Sequence, residues 1–186
     1  IFGMLETLCG PQTLLASNSS HMEPEIITQP LSDKSRALVI HYFFPAERNP
    51  VVEIVPGAET SAETSEWLLN FYEAIGKVPV LVKSRYGYAL DPIFEGVFQA
   101  AALCVEEGLG SVKEVDFVAT KALGQTVGPF TAMNLTGGNP ITHHGLNIAH
   151  ERTHPWFKTP KLLDDALKSG EKWITPGRGE VVEMPS

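Results

Sequence analysis

Two uninterrupted apolar runs constrain this chain more than any other feature. Residues 37–44 (ALVIHYFF) and 51–55 (VVEIV) lack the polar alternation of a strand with one wet face. They read as strands covered on both sides. Each run carries one ionisable residue, His41 in the first and Glu53 in the second. A carboxylate buried without a partner is costly, and an imidazole is a partner that makes both positions intelligible. A carboxylate that accepts from one ring nitrogen fixes the tautomer and raises the basicity of the other. The residues alone leave a second reading open, a satisfied core histidine and a separate solvated glutamate at a strand end.

The flanking segments place these runs in an α/β pattern. Residues 1–9 read as the end of a helix stopped by Gly10-Pro11, and TLLAS (13–17) is a short apolar run before the turn residues Asn18-Ser19-Ser20. Thr60 and Glu63 have capping-box spacing. The helix they open is predicted to put Trp67, Leu68, Phe71, Tyr72 and Ile75 on one side and to stop at Gly76. KVPVLVK (77–83) reads as a strand near an edge, because Pro79 has no N–H for a ladder. Strand, strand, helix, strand is an α/β order.

From about residue 91 to 170 no strand-like run occurs. Asp91-Pro92 has the chemistry of an N-cap and first helical residue, and Ile93, Val97, Ala101, Cys104 and Val105 follow at helical spacing. Ser111 and Glu114 make a second capping box, for a helix ending at Gly124. Gly128-Pro129 opens another helix, and residues 162–169 form a last amphipathic one stopped by Gly170. The expectation is α/β followed by all-α, with the division within residues 84–91 and domains of 1–87 and 88–186.

Composition decides which partners to expect. With 186 residues, 43% apolar and 19% charged, the chain is globular in character and long enough to bury a core. A net charge of −8 argues against binding a phosphate backbone, and no apolar run approaches the ~20 residues of a membrane helix. Neither a nucleic acid nor a membrane is an expected partner. Cys9 and Cys104 sit in apolar, helix-like surroundings without metal spacing. They read as buried thiols in a reducing, cytoplasmic compartment.

One local motif competes. His150-Glu151-Arg152-Thr153-His154 matches H-E-x-x-H, the zinc-hydrolase pattern. Arg152 puts a positive charge beside such a site, Pro155 follows directly, and no third ligand is evident downstream. His143, seven residues before His150, offers at most an adventitious metal contact. No metal is expected.

The segment HYFFPAERNPVVEIVPG (41–57) resembles the HFFNP…VE signature of the 3-hydroxyacyl-CoA dehydrogenase family, with its His and Glu twelve positions apart. LLASNSS resembles the family's strand and Asn-Thr-Ser turn. GKVPVLVK, the glycine of RYGYALDP and the GPF of VGPFTAMNLTG follow in the family's order. The resemblance runs from about residue 2 to 137 and fades towards 180, where PGRGEV is only faintly similar to the terminal Gly-rich motif.

The resemblance implies the catalytic half of a Rossmann-like, doubly wound domain, then a helical dimerisation-type domain. It implies hydride transfer between NAD and C3 of a 3-hydroxyacyl-CoA, the chemistry of fatty acid beta-oxidation. His41 is the implied general base and acid, Glu53 its orienting partner, and Ser20 a hydrogen-bonding group for the reacting oxygen. Asn18 shapes the turn beside the cofactor. For Asn18 and Ser20, plain turn-forming contacts stand as the alternative. The implied partners are an acyl-CoA substrate and a second copy of the chain, paired through the helical domain. The apolar residues of 93–105 suit such an interface or an internal core helix.

Three positions depart from the family's pattern. Phe44 stands where the family has the Asn of HFFNP, at a position implied to lie near the cofactor. Asp91 stands where a substrate-positioning Asn is expected, and an ionised aspartate can only accept; the N-cap role is its alternative. Asn134 stands where an Asp is usual. No G-x-G-x-x-G follows a strand, so the turn that holds a pyrophosphate is missing. The expectation is a piece of a longer protein that binds NAD weakly by itself. A non-catalytic acyl-CoA-binding or dimerisation module of the same family is the alternative.

Overall fold

A computed structural model describes residues 1–177, 180 and 182. Of the PGRGEV segment, Arg178, Gly179 and Val181 lie outside the described residues. The chain divides into two compact units, Ile1–Asp91 and Pro92–Ser186.

The first unit contains α1 (Phe2–Leu8), β1 (Leu15–Ser17), α2 (Pro24–Ile27), β2 (Ala37–Tyr42), β3 (Val51–Pro56), α3 (Ala62–Ala74) and β4 (Val78–Leu81). The sheet order is β1-β2-β3-β4, with β4 at an edge as Pro79 predicts. β1 runs parallel to β2 and β3 parallel to β4, whereas β2 and β3 are antiparallel. Residues 43–50 are too few for the crossover that a parallel pair needs, so the chain turns straight back.

The two apolar runs are covered on both faces. Leu38 and Ile40 of β2 and Val52 and Ile54 of β3 pack on Leu68 and Tyr72 of α3. Val39 and Val55 pack on Tyr88 from the opposite side. Because side chains alternate with a period of two, His41 and Glu53 share the Tyr88 face. A third cluster, Leu15, Leu31 and Ala37, is covered by Phe2, Leu5 and Cys9. Cys9 and Cys104 are free but only half-buried, more accessible than the sequence predicts.

Two expectations for α3 are corrected. Its N-cap is Ser61, whose hydroxyl accepts from the Thr64 N–H. Thr60 is spent on the turn before it, accepting from the Gly57 N–H and donating to the Ala37 carbonyl. The buried face is Thr64, Ser65, Leu68 and Tyr72. Trp67, 54% exposed, stacks on Phe71 in solvent instead of joining it. Positions 67/68 and 71/72 are adjacent on the helix, so periodicity alone does not say which column faces the sheet.

α4 (Leu90–Glu106) starts in the first unit. α5 (Val112–Ala122), α6 (Pro129–Leu135), α7 (Asn139–Arg152) and α8 (Lys161–Ser169) make up the second, which has no strand among its described residues. The Ser111–Glu114 capping box is formed in both directions. The inward residues of α4 are Glu95, Phe98, Gln99, Ala101 and Ala102, while Ile93 is 63% exposed. The predicted stripe is thus rotated, because polar Glu95 and Gln99 occupy interior positions. Gln99 accounts for its own place by clamping the Trp156 carbonyl and the Lys158 N–H.

Two further polar residues are explained by backbone satisfaction. Asp116 accepts from the N–H groups of Phe130 and Thr131 at the start of α6. A Cβ at Gly128 would lie 2.3 Å from the Asp116 carboxyl carbon, so only glycine fits there. Asn134 donates to the Trp173 carbonyl and accepts from the Trp173 N–H, a pairing an aspartate could not complete.

Ile54→Ala should lower stability by about 2–5 kcal/mol in urea unfolding, whereas Trp67→Ala should lower it by no more than about 1 kcal/mol.

Candidate active site

The β2–β3 register sets His41 directly opposite Glu53. Both are 3% exposed, and His41 Nδ1 lies 2.8 Å from Glu53 Oε2. A carboxylate oxygen only accepts, so Nδ1 carries the hydrogen. In the neutral ring that leaves Nε2 as an acceptor, and Ser20 Oγ stands 3.1 Å from it. Ser20 follows β1, the parallel neighbour of β2, at the carboxyl end of the sheet.

The other oxygen of Glu53 is also occupied. Oε1 accepts from the Ala89 N–H at 3.2 Å and the Leu90 N–H at 3.1 Å, the opening amides of α4. Helix starts leave N–H groups without partners, and a negative charge there is favourable. Glu53 therefore closes the start of α4 while it orients His41. Asp91 is consequently not the N-cap the sequence predicts. It is the second residue of the helix, and its carboxylate faces His21, with Oδ2 3.1 Å from Nε2.

Tyr88 lies against the His41 ring. It is fully buried, meets the His41 ring edge-on at 5.3 Å, and donates to the Ser19 and Met22 carbonyls on either side of Ser20. Its backbone has a positive φ of 51°, a conformation that needs such fixed contacts to persist. Phe43 also meets the imidazole edge-on, at 5.1 Å. His21 stacks on Tyr86 at 5.2 Å.

Among the sequence candidates, His41, Glu53 and Ser20 are brought together and Asp91 stands at the rim. Asn18 is exposed after β1, and Phe44, 73% exposed, begins the turn into β3. The H-E-x-x-H residues do not form a site. α7 ends at Arg152, so His154 leaves the helix face on which His150 lies. His150 Nδ1 is 2.6 Å from the Phe157 carbonyl, and His154 Nδ1 accepts from the Trp156 N–H. His143 is paired with Asp164. No group of three potential metal ligands occurs among the described residues.

Tyr88, His21 and the Ala89 and Leu90 amides were not found from sequence. Glu53 carried the one available signal, since a buried carboxylate has two oxygens and His41 accounts for only one. Nothing in the spacing links residue 21 to residue 91.

Residues 1–85 match the 3-hydroxyacyl-CoA dehydrogenase NAD binding domain, and residues 87–180 match the C-terminal domain of the same enzymes. The chain belongs to the 3-hydroxyacyl-CoA dehydrogenase family. It is 32% identical to a peroxisomal fatty acid beta-oxidation multifunctional protein of Arabidopsis thaliana, over 96% of this chain and 24% of that protein. It is 33% identical to the L-carnitine dehydrogenase of Staphylococcus epidermidis, over 83% of this chain and 50% of that enzyme. The crystal structure of 3-hydroxybutyryl-CoA dehydrogenase from Escherichia coli is similar with a TM-score of 0.80 and 25% identity, over 91% of this chain and 36% of that one. The chain thus spans about a quarter of the length of the first of these curated relatives and about half of the second. No helix among the described residues is long and apolar enough to cross a membrane.

Burial raises the Tyr88 phenol above its ordinary value near 10, and burial with the Tyr42 hydrogen bond does the same for Tyr72. The fold holds both phenols neutral, so this stabilisation is complete below about pH 10 and declines as the pH rises past it. Tyr88→Phe should cost about 1–2 kcal/mol near neutral pH by stranding two carbonyls. It should also reduce the alkaline loss measured by urea unfolding, with the remainder assigned to Tyr72.

Proposed function

We propose that this chain carries the proton-transfer site of an NAD-dependent 3-hydroxyacyl-CoA dehydrogenase. The observation that carries the reading is the relay Ser20–His41–Glu53 at the carboxyl edge of β1 and β2, with His41 and Glu53 buried and Ser20 half-buried. Open α/β sheets bind nucleotides and their substrates beyond that edge.

His41 Nε2, an acceptor when Nδ1–H is held by Glu53, takes the proton of the substrate's C3 hydroxyl. In the reverse direction it returns that proton to the C3 oxygen of the 3-ketoacyl thioester. Glu53 stabilises the imidazolium that exists between these events, and its second oxygen, tied to α4, keeps the carboxylate from turning away. Ser20 donates to the reacting oxygen, whose arrival replaces the direct contact between the hydroxyl and Nε2. Ser20 and His41 would serve the nicotinamide end of NAD, because a hydroxyl and an imidazole stand together at the carboxyl edge of the sheet. NAD, when bound, supplies the hydride acceptor. The glycine turn for its pyrophosphate is taken, in this reading, from polypeptide outside this chain.

Asp91 positions no thioester oxygen directly in this reading, because its carboxylate only accepts and is turned to His21. Exposed Ile93 and Phe94 of α4 support a homodimer through the helical unit. The free thiols Cys9 and Cys104 support a reducing compartment, the cytoplasm.

The test is NADH oxidation by acetoacetyl-CoA, using the complete open reading frame that encodes this chain. His41→Gln should lower kcat by about 100- to 10,000-fold with the far-ultraviolet circular dichroism unchanged. Turnover that survives the substitution, or a folded and inactive unsubstituted protein, overturns the reading.

A further inference from the structure

Ser20 and His21 are adjacent in sequence, and so are Leu90 and Asp91. The first residue of each couple serves the relay, Ser20 at His41 Nε2 and the Leu90 N–H at Glu53 Oε1. The second residues meet each other, with His21 Nε2 3.1 Å from Asp91 Oδ2. The contacts close a ring that runs Ser20, His41, Glu53, Leu90, Asp91, His21 and back to Ser20. His21 is additionally held flat against Tyr86 by stacking at 5.2 Å and 17°.

The ring matters because of how the loop is otherwise held. Tyr88 Oη bonds the Ser19 and Met22 carbonyls, and the Met22 N–H bonds Ser19 Oγ. These bonds pin the two ends of the Ser20–His21 couple without fixing its rotation about the line joining them. The side chains of neighbouring residues project in different directions, so that rotation swings Ser20 and His21 together. Tethering His21 to Asp91 removes the freedom and sets the direction in which Ser20 Oγ points. The tether's other end is a helix start that Glu53 already holds, so both arms of the relay are referred to one rigid element.

We infer that the His21–Asp91 pair is a positioning clasp that aims the Ser20 hydroxyl at His41 Nε2. The inference rests on the dehydrogenase reading for its kinetic consequence, but its geometry can be tested without turnover. His21 and Asp91 act through Ser20 and touch no reacting atom.

The experiment is a double-mutant cycle on the complete protein, with Asp91→Ala and the near-isosteric Asp91→Asn made alone and with Ser20→Ala. The structural readout is the imidazole nitrogen spectrum of protein labelled with 15N-histidine. Asp91→Ala should move the His41 Nε2 resonance towards its position in Ser20→Ala, and should move it no further once Ser20 is absent. The functional readout is steady-state NADH oxidation with acetoacetyl-CoA. Asp91→Ala should lower kcat about tenfold and Asp91→Asn less, whereas in the Ser20→Ala background either change should lower it by less than about twofold. A substitution that merely loosened the fold would lower kcat by the same factor in both backgrounds. Equal losses in both backgrounds, or an unmoved His41 Nε2 resonance in folded Asp91→Asn and Asp91→Ala, overturn the clasp. An inactive unsubstituted protein whose His41 resonance responds as described overturns the dehydrogenase reading and leaves the clasp standing.

Discussion

The buried bond between His41 and Glu53 is the interaction on which the rest of the site depends. Two ionisable side chains in the middle of a sheet would each be costly alone, and either without the other would leave an unmet hydrogen-bonding group. The antiparallel β2–β3 pairing makes them direct cross-strand neighbours, so their contact is as fixed as the register itself. A slip of β3 by one residue would turn Glu53 to the α3 face and set His41 opposite Val52 or Ile54, which belong on that apolar face. The apolar layer against α3 therefore guards the chemistry on the other side.

Around that bond the protein uses one helix start twice. Glu53 Oε1 takes the opening amides of α4, and Asp91, one residue on, takes His21. This arrangement resolves what the sequence leaves ambiguous about Asp91. The helix begins at Leu90, one residue before Asp91, and Glu53 takes the N–H groups of Ala89 and Leu90, so Asp91 has no capping position to fill. Asp91 is then released to hold the loop that carries Ser20. Tyr88 works from below that loop, with its hydroxyl between two carbonyls and its ring against His41.

Much of the fold is legible in the residues because it follows from local rules. Uninterrupted apolar runs mark β2 and β3, Pro79 marks an edge strand, and Ser111 with Glu114 marks the start of α5. The failures share a cause. The Thr60 cap, the Trp67 column and the Ile93 stripe are choices between neighbouring positions that local preference scores alike. They are decided by which carbonyl, sheet face or loop happens to be near. Thr60 is drawn to Ala37, and Gln99 turns inward to hold residues 156–158.

The sequence by itself determined that two strands covered on both faces each carry one ionisable residue, His41 and Glu53, and that a helical segment follows. Those conclusions need only the alternation of side chains and the cost of burying charge. Tertiary structure alone decided that the strands lie in antiparallel register, that Glu53 spends its second oxygen on α4, and that His21 meets Asp91. Each joins residues far apart in the chain, at distances that no periodic pattern encodes. Folding brings them within hydrogen-bond or ion-pair reach because Tyr88, packed on Val39 and Val55, seats the start of α4 against the β2–β3 sheet.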